Sequence, residues 1–138
     1  MPRQLGWLCA PEGFDAGELL ASGAAQNVAP VPRDVREWLR AARADVLFET
    51  TSLEPLTGRP AVEHVRAGLE AGAHVVTANK GAVVHGFGEL SELAAARGRR
   101  FMFEATVADC LPVFSMFRET LPAARLLGFT ALLNSTST

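Results

Sequence analysis

Pro60-Ala61-Val62-Glu63-His64-Val65-Arg66-Ala67-Gly68-Leu69-Glu70-Ala71-Gly72-Ala73-His74-Val75-Val76-Thr77-Ala78-Asn79-Lys80 is the stretch that decides the fold. Proline is tolerated in the first turn of a helix, where its missing N–H would have no partner, and Val62, Val65 and Leu69 then recur at helical spacing. Gly72 supplies the left-handed residue that closes such a helix. His74-Val75-Val76-Thr77 follows at once and reads as a buried strand. A helix with both ends marked, running straight into a strand, is part of a βαβ unit.

The same order extends in both directions. Val46-Leu47-Phe48 is the first clear strand. After the central strand, Lys-Gly-Ala-Val-Val-His reads as loop, with His85 in it. Phe87 to Arg97 then reads as a helix with Leu90, Leu93 and Ala94 inward and Gly98 as its cap. Phe101-Met102-Phe103 is a third strand, Pro112 to Leu121 a third helix, and Leu126 to Leu133 a last extended run before a polar end. Alternating strands and helices predict an α/β fold, a partial Rossmann-like, doubly wound and mostly parallel sheet. The first 44 residues are less regular, with a short strand at Leu5 to Cys9, a short helix at Asp15 to Ala21 capped by Asp15, and a helix at Pro32 to Ala42. Trp7 and Trp38 read as partial core. With no repeat and no linker, residues 1–138 form one domain.

Composition narrows the function. A chain of 138 residues that is 49% hydrophobic and 20% charged can bury a core. Its formal charge of −2, with scattered arginines, offers no field for a phosphate backbone, so nucleic acid is not an expected partner. No apolar run approaches the roughly 18 residues of a membrane span and no signal peptide opens the chain, which together predict a cytoplasmic protein without a membrane partner. Cys9 and Cys110 have no metal-ligand or disulfide spacing. His64, His74 and His85 show no mutual spacing that suggests a metal or a triad.

In a doubly wound sheet, ligands bind beyond the carboxyl ends of the strands. The residues there are Glu49-Thr50-Thr51-Ser52, then Ala78-Asn79-Lys80, then Glu104-Ala105-Thr106-Val107. Their hydroxyls and amides suit ribose and nicotinamide, and Lys80 suits a phosphate or a developing alkoxide; helix capping and loop solvation are the alternative use of the same groups. The G-x-G-x-x-G loop that approaches a pyrophosphate does not open the chain. Gly86-Phe87-Gly88 is the nearest match, and it does not follow a strand directly. Spacing suggests the far half of a dinucleotide-binding domain, without its first βα unit.

The run from Pro60 and His64 through Gly72 into Val75-Val76-Thr77-Ala78-Asn79-Lys80, with Phe103-Glu104-Ala105-Thr106-Val107, Pro112 and Leu133-Asn134-Ser135-Thr136, resembles the homoserine dehydrogenase family over about two-thirds of the chain. The resemblance implies NAD- or NADP-dependent interconversion of L-homoserine and L-aspartate 4-semialdehyde, in threonine and methionine biosynthesis. By carry-over it assigns Thr51, Ser52, Asn79 and Lys80 to the cofactor. Lys80 is also assigned a supporting catalytic role at the reacting oxygen. It further implies a monovalent cation, sodium, at Glu104, Val107, Asp109 and Leu111, held mostly by backbone oxygens. Ala108-Asp109-Cys110 stands where the family is richer in glycine, and Cys110 is expected to resist a left-handed angle.

Two departures go with the resemblance: no glycine-rich loop at the start, and no section carrying the family's proton-donor lysine and acidic substrate ligands at the end. A polypeptide of these 138 residues is therefore expected to be a fragment, a product of a misplaced start or a diverged remnant, without turnover and with weak cofactor binding. The expected partner is a small-molecule substrate, and a homo-oligomer is left open. The rival reading is a non-catalytic interaction module that uses surfaces such as Leu126 to Leu133.

Overall fold

The computed structural model describes residues 32–109 and 111–130, with residues 13, 15, 17 and 21 in isolation. The strand expected at Leu5 to Cys9 and Trp7 lie outside the described residues, and so does most of the helix expected at Asp15 to Ala21.

Helix α1 spans Val35–Ala42. It begins three residues later than the expected start at Pro32, because Asp34 sits in extended backbone and its carboxylate accepts the Glu37 N–H at 2.9 Å. Strand β1, Val46–Glu49, alternates exposed and buried residues. Helix α2 is Ala61–Glu70, followed by β2, His74–Thr77. Gly72, at φ +87°, makes the left-handed turn between them. Helix α3 runs from Lys80 to Ala96, and Gly98 at φ +61° follows it. Strand β3 is only Phe101–Met102, and a single 3₁₀ turn, Glu104–Thr106, follows.

Both strand pairs are parallel and the order is β1-β2-β3, which puts β2 at the centre. Phe48 pairs with Val76 and Glu49 with Thr77, while Val76 pairs with Met102. Leu47 and Val75 point into a core with Val65, Ala67 and Leu69 of α2, Ala82 and Leu90 of α3, and Leu39 of α1. Gly68 permits that approach, since a Cβ there would lie 2.8 Å from Leu47 and 2.9 Å from Val75. Trp38 packs half-buried against the cluster. The opposite face of the sheet carries Val46, Phe48 and Met102, and Phe48 is 69% exposed. No described helix is long and apolar enough to cross a membrane.

Several expectations need correction. Lys80 to His85 is not a loop but the first turns of α3, and Gly86-Phe87-Gly88 lies inside that helix. Asn79 starts the helix early by accepting the Gly81 N–H at 2.9 Å. Gly81 and Gly86 are buried where the helix meets other chain: a Cβ on Gly81 would lie 2.9 Å from the Gly58 Cα, and one on Gly86 would lie 3.4 Å from Val62. Tertiary packing outweighs their poor helix propensity. Phe103 leaves the strand to join an aromatic cluster with Phe87, Phe101 and Phe114. The helix expected from Pro112 to Leu121 is one α-turn, Val113–Ser115, continued by a π-turn, Met116–Thr120. Of the last extended run, residues 126–130 form no strand and are exposed, and residues 131–133 lie outside the described residues.

Candidate functional site

A parallel sheet gathers the residues after each strand on one rim, and hydrogen bonds fix which of them meet. The Asn79 side-chain N–H donates to the main-chain oxygen of Thr51 at 3.0 Å and lies 3.5 Å from that of Ser52. Thr51, Ser52, Asn79 and Lys80 therefore occupy one edge. Asn79 is 5% exposed, and both ends of its amide are engaged by Thr51 and Gly81. Thr51, Ser52 and Lys80 are exposed on that rim.

The loop from Thr50 to Pro60 is held against α3. His85 Nε2 lies 2.8 Å from the Pro55 main-chain oxygen. Gly58, at φ +70°, sits so close to α3 that a Cβ would fall 2.6 Å from the Gly81 oxygen. Within the loop, Glu54 accepts N–H bonds from Leu56 at 2.8 Å and Thr57 at 2.7 Å, along with the Thr57 hydroxyl. The Thr57 hydroxyl first, then these N–H groups, hold the Glu54 carboxyl below the usual carboxylate range.

Lys80 is the first residue of α3, whose first turn has no acidic residue. A cation at a helix N-terminus opposes the macrodipole, so helix stability does not explain a lysine there. An exposed ammonium on this rim can donate to an oxygen that gains negative charge.

Beyond β3, Glu104 does not present a free carboxylate. It accepts the Phe114 N–H at 2.8 Å, the Ser115 N–H at 3.0 Å and the Ser115 hydroxyl at 2.5 Å. The hydroxyl of Ser115 is the main cause that holds this carboxyl below its ordinary value, and the two N–H groups and Arg118 add to it. The following loop reverses through two left-handed residues, Ala108 at φ 55° and Asp109 at φ 53°, and Cys110 lies outside the described residues. Among the described residues, the main-chain oxygens of Val107 and Asp109 accept no backbone hydrogen bond, whereas those of Glu104 and Leu111 accept from Val107 and Val113. Among the described residues, two of the four expected cation ligands thus have main-chain oxygens with no backbone donor, and the Glu104 side chain is committed elsewhere. No cluster of three or more His, Cys, Asp or Glu side chains that could hold a metal occurs among the described residues.

Sequence reasoning passed over Glu49 and Thr77 as individual groups. Glu49 is buried at the end of β1 and accepts from the Thr51 N–H at 2.9 Å, the Thr51 hydroxyl and the Thr77 hydroxyl at 2.7 Å. Period-two alternation was the available signal, since Glu49 shares the inward face of Leu47.

Comparison with known proteins places this geometry. A family model described as "Homoserine dehydrogenase, NAD binding domain" matches residues 16–104. An NAD(+)-dependent homoserine dehydrogenase of Pseudomonas canavaninivorans is 33% identical over 96% of this chain and 40% of its own length. A homoserine dehydrogenase of Methanocaldococcus jannaschii is 37% identical over 68% of the chain and 28% of its own length. Among solved structures, a putative homoserine dehydrogenase from Archaeoglobus fulgidus superposes with a TM-score of 0.59 at 34% identity, over 75% of this chain and 30% of that one. The chain spans less than half the length of these relatives. The parallel sheet, the Rossmann-like likeness and the match across most of the described residues lead to one conclusion: the chain belongs to the homoserine dehydrogenase family and corresponds to part of its NAD-binding domain.

Proposed function

We propose that the rim formed by Thr51, Ser52, Asn79 and Lys80 is the nicotinamide side of an NAD(P) site, in a cytoplasmic enzyme that interconverts L-homoserine and L-aspartate 4-semialdehyde for threonine and methionine biosynthesis. One observation carries the reading: the hydrogen bond from Asn79 to Thr51, which joins the ends of β1 and β2 beside an exposed lysine. The bound nicotinamide supplies hydride transfer. Ser52 offers its hydroxyl to the ribose, Thr51, whose hydroxyl donates to Glu49, offers the same oxygen as an acceptor, Asn79 fixes the height of the loop, and Lys80 donates to the substrate oxygen as alkoxide character grows. Residues 126–138 lead toward the substrate section.

The loop after β3 supports a second element of this reading, a monovalent cation of the sodium class at Glu104, Val107, Asp109 and Leu111. Among the described residues no backbone N–H donates to the main-chain oxygens of Val107 and Asp109, and hard cations favour such ligands. The Glu104 carboxylate takes no part, because it holds Phe114 and Ser115.

Ligand-observed saturation-transfer NMR with oxidised and reduced cofactor tests the site. Nicotinamide protons should receive more saturation than adenine protons, with the amides of Thr51, Ser52, Asn79 and Lys80 shifting. Dominant adenine saturation, or shifts confined to other residues, overturns the reading. Replacing sodium by choline at equal ionic strength should move the Val107 and Asp109 amides; unchanged amides remove the cation from it.

A further inference from the structure

Glu49 and Thr77 are register partners across β1 and β2, 2% and 0% exposed. Two residues earlier in each strand, the same inward positions hold Leu47 and Val75. A buried carboxylate and hydroxyl cost free energy unless every polar atom is satisfied. Here they are satisfied through a closed ring. The Thr77 hydroxyl donates to Glu49 Oε2 at 2.7 Å and accepts the Asn79 N–H at 3.0 Å. Asn79 Nδ2 donates to the Thr51 main-chain oxygen at 3.0 Å, and the Thr51 N–H donates to Glu49 Oε1 at 2.9 Å.

We infer that Glu49 and Thr77 are positioning residues for the rim: the ring they close fixes Thr51 at the end of β1 and Asn79-Lys80 at the end of β2 in one relative placement. This rests on the nicotinamide-side reading above. An apolar pair would fill the same space, as Leu47 and Val75 do, but it would leave the Thr51 and Asn79 N–H groups without these acceptors. Both strand ends would then be held only by the backbone ladder and the single bond from Asn79 to the Thr51 main-chain oxygen. Neither residue is exposed enough to touch a ligand, so each acts through Thr51, Asn79 and Lys80. Hydrogen bonds that polarise one another in a buried ring are also stiffer than isolated ones.

Thr77→Val removes the hydroxyl while keeping the β-branched shape, and Thr77→Ser restores it. Thr77→Val should weaken binding of reduced cofactor about tenfold and speed exchange of the Asn79 amide, as expected when a buried hydrogen bond is lost and its partner is left unsatisfied. Thr77→Ser should return both toward wild type, which a purely packing role for the methyl group would not produce. Wild-type cofactor binding that Thr77→Val leaves unchanged overturns the inference alone. Wild-type protein that binds no nicotinamide ligand overturns the site reading, and Asn79 exchange unaltered by Thr77→Val then overturns the ring as well. If Thr77→Val does not fold, Glu49→Leu serves: like Leu47 on the same face it fills the space and accepts from neither Thr51 nor Thr77, so it should produce the same loss, and unaltered binding and exchange would overturn the proposal.

Discussion

Ser115 binds Glu104 twice, through its hydroxyl at 2.5 Å and its N–H at 3.0 Å, both to the same carboxylate oxygen. Eleven residues separate them, so one carboxylate ties the short helix Val113–Ser115 to the turn that follows β3. The Glu104 carboxyl is held below its ordinary value, chiefly by the Ser115 hydroxyl. A depressed carboxyl contributes stability that is present above the unfolded-state value and is lost as pH falls through the folded-state value. The Phe114 and Ser115 amide signals should therefore keep their neutral-pH positions through the range where a free glutamate titrates and move only below it. Ser115→Ala removes the largest cause and should raise the Glu104 titration midpoint, read by carboxyl carbon NMR. An unchanged midpoint would show that the hydroxyl does not hold the charge.

Glycines in α3 separate packing from propensity within a single helix. A Cβ on Gly88 meets nothing within 4 Å, whereas one on Gly81 falls 2.9 Å from the Gly58 Cα and 3.1 Å from the Asn79 carboxamide oxygen. Gly88→Ala should stabilise the protein by about 0.5 to 1 kcal/mol, the ordinary gain from removing glycine from a helix interior. Gly81→Ala should destabilise it by about 1 to 3 kcal/mol, because backbone rather than a flexible side chain must move. Urea denaturation of both variants reads the two signs. Equal effects would mean that the contact between Gly58 and Gly81 does not exist in solution.

The same glycines explain what was legible in the sequence. Val46 to Phe48 and His74 to Thr77 were readable as strands because apolar runs with β-branched residues sit between marked turns, and Gly72 and Gly98 take the left-handed angles expected of caps. The first half of α3 was not readable. Gly81, Gly86, Gly88 and two adjacent valines weigh against a helix locally, and the contacts that favour one come from Gly58 and Val62, distant in sequence. The rim was readable as a set of residues after strands, but not as a ring. Only the register pairing of Glu49 with Thr77 shows that these two face each other beneath it. The segment from Val113 to Thr120 falls within the helix expected over Pro112 to Leu121, but no local signal marks its change to a π-turn after Ser115 or the hold that Glu104 has on its start.

Lys80 separates stability from function. It is exposed, opens α3, and sits where the helix dipole disfavours a positive charge. Lys80→Ala should therefore leave stability unchanged or raise it slightly, by about 0.3 to 1 kcal/mol at low ionic strength. In this chain fused to the glycine-rich and substrate-binding sections of the Pseudomonas canavaninivorans relative, the same substitution should lower kcat/KM by about 100-fold or more, the scale of losing one donor to a developing oxyanion. Lys80→Arg should recover little, since a planar guanidinium places its donors differently from an ammonium. Thermal unfolding and steady-state kinetics on the same samples read both arms. If Lys80→Ala lowers stability by more than about 1 kcal/mol, the lysine is a structural residue of the helix start. If turnover stays within a few-fold of wild type at unchanged stability, no charge develops near it, and the rim formed by Thr51, Ser52 and Asn79 must act without it.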